Sequence, residues 1–136
     1  IEVVDFIKDG FGDDIIDQLR NTLLSTMSEE HINFFKDLEL SFSSEKYLFV
    51  HAGIDPKKTL EDQTKEDFLW SRSKSFFDKD FKAQKIIVHG HTPEENIINN
   101  SHRINIDTGC YFSGKLSSVC LSDYDDSRLF INNLLK

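Results

Sequence analysis

The residues of this chain best suited to chemistry are histidines placed where apolar, β-rich runs stop. His51 closes "KYLFV" and is followed by the small pair Ala52 and Gly53, while His91 follows "KIIVHG" and precedes Thr92 and Pro93. If neighbouring strands end on one rim of a sheet, two imidazoles meet there, and the adjacent glycines let backbone and ligand approach closely. The chemistry open to such a pair is metal ligation, with the two rings as half of a site. A single histidine at a strand end is more often a hydrogen-bonded structural residue. His89 shows the difficulty: it shares a strand face with His91 if the strand runs that far, and nothing local separates ligand from bystander.

The elements that must position these rings follow from periodicity. "GDDIIDQLRNTLLSTM", Gly12 to Met27, sets Ile15, Ile16, Leu19, Leu23 and Leu24 at helical spacing, with Asp13 and Asp14 suited to the positive end of the helix dipole. Ser28 is a good N-cap for a second helix, with Glu29, Glu30 and His31 behind it and an apolar face of Ile32, Phe34, Phe35 and Leu38. Both helices read as scaffold. The pattern then changes: "KYLFVHAGI" reads as a strand buried on both faces, and "KIIVHGH", "RINIDTG", "KLSSVCLS" and "RLFINNLL" repeat the idea. "KEDFLW" and "SKSFFDKDF" favour short helical or irregular segments packed on the sheet, and Pro93 to His102 reads as an exposed polar loop. Helices first and strands later point to an α+β or layered sandwich fold rather than a regular βαβ repeat.

Composition narrows the function. The 136 residues are 38% hydrophobic with 12 Phe, enough apolar material for one domain with a core. A formal charge of −8 and no basic stripe argue against nucleic acid, and no apolar run is long enough for a membrane span, so neither is an expected partner. The only two cysteines, Cys110 and Cys120, read as a turn and a strand interior. They have neither zinc spacing nor a disulfide framework, which leads us to expect reduced thiols in a cytoplasmic protein. The chain starts at "IEVVDF", with no Met and no secretory pattern, and we expect further sequence before it.

Taken in order, "FVHAGI", "DFLWSR", "IIVHGHTP", "RINIDTG" and "GKL" resemble the C-terminal half of a calcineurin-like metallophosphoesterase, over Tyr47 to Leu121. The resemblance is strongest to bacterial and phage-type serine/threonine protein phosphatases, with symmetrical dinucleoside tetraphosphate hydrolases as close relatives. It implies a four-layer α/β/β/α sandwich, of which residues 1–136 form the C-terminal portion of a single domain, 1–45 mainly helical and 46–136 mainly strands carrying the site. It also implies that His51 and His91 ligate one ion of a two-metal centre, and that Arg72, closing "LWSR", binds the substrate phosphate. His89 matches no family ligand, and Asp107 resembles a residue of the turn beside the site.

The implied reaction is phosphoester hydrolysis by direct attack of a metal-bridging hydroxide, on phosphoserine or phosphothreonine in protein or on another small phosphoester. Histidine ligands suit two transition-metal ions, Mn first with Fe or Zn as alternatives. The guanidinium of Arg72 offers a donor fork that matches phosphate oxygens. The family's other ligand motifs, D-x-H, G-D-x-x-D-R and G-N-H-E, do not occur in the chain. "GFGDDIIDQLR" lacks the Asp-Arg adjacency and is helical in period. No catalytic residue is therefore assigned within the chain. Two readings follow: part of a phosphatase, inactive alone, or a metallophosphoesterase-like binding module without catalysis.

Overall fold

The computed structural model describes residues 13–72, 76–78 and 81–134. The expected segment "SKSFFDKDF" is therefore seen only at 76–78 and Phe81, and Gly12, the start of the first expected helix, lies outside the described residues. The chain divides into two compact units after Leu38.

In the first unit α1 (Asp13–Thr26) and α2 (Glu29–Lys36) follow the apolar spacing. Near the end of α1 the hydroxyls of Ser25 and Thr26 both donate to the Thr22 carbonyl, at 2.9 Å each. Ser28 then caps α2, its backbone extended and its Oγ accepting from the His31 amide at 3.3 Å. Glu29 and Glu30 sit in the first turn and Lys36 in the last, each matching the dipole. Leu24 of α1 and Met27 just after it line a small apolar hollow with Ile32 and Phe35 of α2.

The second unit is built on a five-stranded mixed sheet. β1 (Ser41–Ser43) pairs antiparallel with β2 (Tyr47–Val50), which runs parallel to β3 (Ile86–His89), and β3 runs parallel to β5 (Arg103–Asn105). β4 (Ile98–Asn99) closes the far edge antiparallel to β5. Between β2 and β3 lies α3 (Lys65–Trp70), and after β5 come the short α4 (Cys110–Ser113) and the hairpin of β6 (Lys115–Leu121) with β7 (Arg128–Leu134).

Alternation puts neighbours of one strand on opposite faces, and both faces are covered. Leu48 and Ile87 join Ile54 and Phe76, backed by Leu60, Phe68 and Phe81 of the β2–β3 crossover. On the other face Tyr47, Val88 and Ile104 meet Val119, Leu121 and Phe130 of the hairpin. The unit is thus α+β and layered: crossover, sheet, hairpin.

Two expectations need correction, and one strand was not foreseen. Pro93 to His102 is not simply an exposed loop, because it contains β4 and ends at His102, only 1% exposed and bonded to the Phe76 carbonyl. β1 had no counterpart in the sequence reading. Cys110 opens a helical turn instead of sitting in an open one, while Cys120 lies in β6 as expected; both are free thiols.

Candidate metal and phosphate site at the strand rim

The parallel register fixes where the chemistry can gather. Phe49 is level with Val88, and His89 with Asn105, so β2, β3 and β5 end together. The residues just past those ends are His51, Gly90 and His91, and Asp107. They line one hollow of ≈ 390 Å³ with Phe49, Val88 and Ile106 as its apolar floor.

Local geometry then aims the rings. The Gly90 amide donates to the His51 carbonyl at 2.9 Å, extending the β2–β3 ladder by one rung. A Cβ at Gly90 would lie 3.3 Å from the Asp107 Cβ, so glycine allows this close approach. His91 takes φ = 67°, the only positive value at a non-glycine residue described. That turn lies just past the end of the strand, so the alternation that would put His89 and His91 on one face does not extend to His91. His51 Nε2 and His91 Nδ1 come within 3.0 Å.

Arg72 arrives from the crossover. Thr64 and Asp67 form a reciprocal capping box at the start of α3, and Lys58 pairs with Asp67 at 2.6 Å. The hydrogen bond from Lys58 holds the Asp67 carboxyl below its ordinary value. The helix is tied to the β2 end by the Ala52 amide, which donates to the Phe68 carbonyl at 2.7 Å, and by Ser71 Oγ, which donates to Ile54 at 2.8 Å. Arg72 Nε then reaches His91 Nε2 at 3.4 Å, and the Trp70 ring stands edge-on to the His91 ring with centroids 5.7 Å apart.

The rim therefore brings together all three residues singled out from the sequence: His51, His91 and Arg72. Burial first, and then the neighbouring His51 and Arg72, push the His91 pKa down, which favours the neutral ring with its single lone pair. Two imidazole nitrogens bound to one ion at about 2.0–2.1 Å would lie about 3 to 3.4 Å apart. The 3.0 Å observed fits that as well as it fits a hydrogen bond. Among the described residues, no group of three or more His, Cys, Asp or Glu side chains is placed to hold a metal ion.

His89 is different. It is 2% exposed, accepts from Arg103 at Nε2 (3.2 Å), and so carries its proton on Nδ1, which donates to the Gly90 carbonyl at 3.0 Å. Its one lone pair is turned to the buried Arg103, whereas His91 stands partly exposed at the rim. Arg103 in turn lies over the Phe77 ring, 4.9 Å from its centroid.

Sequence reasoning did not single out Asn105, fully buried at the end of β5. The signal was present: a polar residue inside "RINID" has to be buried with partners. Compared with protein-family models and with curated proteins, the chain matches none.

Proposed function

We propose that this chain supplies part of the active site of a metal-dependent phosphoester hydrolase, a metallophosphoesterase acting on phosphoserine or phosphothreonine in protein. The observation that carries the reading is the rim geometry: two imidazole nitrogens 3.0 Å apart, with a guanidinium on the other side of the same ring. That is a cation site beside an anion-binding group, as hydrolysis of a phosphate ester requires.

His51 would present Nε2 and His91 Nδ1 to one ion. When bound, divalent transition metals, Mn first, supply Lewis acidity and a water acidified enough to attack at neutral pH. With an ion held at Nδ1, His91 would carry its ring proton on Nε2. The Arg72 guanidinium beside that ring would bind phosphoryl oxygens and offset the charge that grows on them. Two histidines do not complete a two-metal centre, so the remaining ligands and the general acid belong to residues other than these three.

The four-layer sandwich is the finer form of the fold that we propose. The β6–β7 hairpin is two-stranded among the described residues, and added strands on its open edges would complete a second sheet. The free thiols of Cys110 and Cys120 support a reducing, cytoplasmic setting.

The test is a substrate panel with Mn²⁺ on the full-length protein: a phosphoserine peptide, a phosphothreonine peptide, diadenosine tetraphosphate and a generic aryl phosphate. Metal-dependent release of phosphate from the peptides is expected. Preference for the dinucleotide would move the assignment to that hydrolase class, and no turnover of any substrate would overturn the reading.

A further inference from the structure

We infer that Asn105 is the positioning residue that holds His91 in its left-handed conformation, and through it sets the direction of the candidate ligand; the part concerning ligation rests on the function proposed above. The starting point is strain. His91 has φ = 67°, and the Thr92 amide donates to the Gly90 carbonyl at 2.8 Å, so His91 is the central residue of a positive-φ γ-turn. Such turns are rare, and a non-glycine side chain in this region is strained and persists only where its surroundings enforce it. The ring contacts of His91 to His51 and Arg72 do not fix its backbone. Something must hold the peptide that follows.

Asn105 does so. Its side chain is 0% exposed, and its Nδ2 donates to the Thr92 carbonyl at 2.8 Å. Its Oδ1 accepts from the Asp107 amide at 2.9 Å. Rotating the amide by half a turn would set donor against donor at Asp107 and oxygen against oxygen at Thr92, so the orientation is forced. One buried amide thus clamps the turn after β3 to the turn after β5. A second link, from the Glu94 amide to the Asp107 carbonyl at 3.0 Å, fastens the same two turns further along. The clamp is central because β3 and β5 pair His89 with Asn105, which places the side chain level with the last strand residue before the turn.

The experiment uses isotope-labelled protein carrying Asn105→Asp, which keeps size and acceptor but sets an oxygen against the Thr92 carbonyl, and Asn105→Ser, which removes the donor without adding charge. Two quantities are read: the His91 and Thr92 backbone resonances in metal-free protein, and the affinity for Mn²⁺. We expect those resonances to move while those of β6 and β7 hold, and Mn²⁺ binding to weaken about 10- to 100-fold. Unmoved His91 resonances in both variants would overturn the inference, as would a moved His91 with metal affinity unchanged. If His91 moves but the unsubstituted protein takes up no metal, the clamp stands and the metal reading alone fails. Should neither variant fold, the unsubstituted Asn105 side-chain amide decides: slow exchange of its protons supports the clamp, and exchange as fast as in a free amide refutes it.

Discussion

His89 and His91 lie in one short stretch, yet one is buried against Arg103 and the other stands partly exposed at the rim. Burial pushes the His89 pKa down from 6.5 to about 4, with the Arg103 charge adding to it against the Gly90 hydrogen bond. Folding therefore favours the neutral ring. Its contribution is complete above about pH 6.5 and is lost as pH falls from there towards 4, for a total of about 3 kcal/mol. Denaturant unfolding at about pH 7 and about pH 4.5 should show this loss, and His89→Asn, which cannot titrate, should flatten it. Arg72 calls for the opposite kind of test, because it is exposed and its proposed work is on substrate. Arg72→Lys keeps the charge and loses the planar fork, so turnover of a phosphate ester should fall by about 10²-fold with the melting temperature nearly unchanged. A large drop in melting temperature with activity kept would make Arg72 a structural residue.

At the level of elements, α3 is the arm that delivers Arg72, and its capping box is the place to loosen it. Thr64→Ala removes the hydroxyl that accepts from the Asp67 amide and should cost about 1 kcal/mol, read as a lower denaturation midpoint. Gly53 is a harder constraint: its φ is 152°, and a Cβ there would meet the buried Phe76 ring at 2.7 Å. Gly53→Ala should therefore destabilise by roughly 1–3 kcal/mol through backbone strain and overpacking, again read by unfolding. These elements also show what the sequence could and could not reveal. The long apolar runs of β2, β3, β6 and β7 and the capped helices were legible because period and cap are local. β1 and β4 were not, since "SFS" and "IN" are strands only by virtue of the ladders that β2 and β5 offer them. The histidines were visible as residues at strand ends. Their 3.0 Å approach was not, because it depends on a parallel register set by the whole sheet and on a strained turn at His91 that no residue type announces.

Over the whole molecule, the hairpin carries an uncovered apolar face among the described residues. The hairpin turns Leu116, Leu129 and Ile131 outward, all more than half exposed, and its two strands pair only with each other among the described residues. No described helix is long and apolar enough to cross a membrane. We expect the 136-residue chain alone to show no Mn²⁺-dependent phosphatase activity, and a form extended upstream to show it; equal turnover by both in a side-by-side assay would refute the half-site reading. The central claim, that the rim pair is a metal site, is tested most directly by elemental analysis of the full-length protein and its His51→Ala, His91→Ala and His89→Ala variants after equilibration with Mn²⁺. The account predicts bound metal in the unsubstituted protein, its loss in the His51 and His91 variants, and retention of much of it in the His89 variant. Equal metal content in all four proteins, or none in the unsubstituted one, would contradict it.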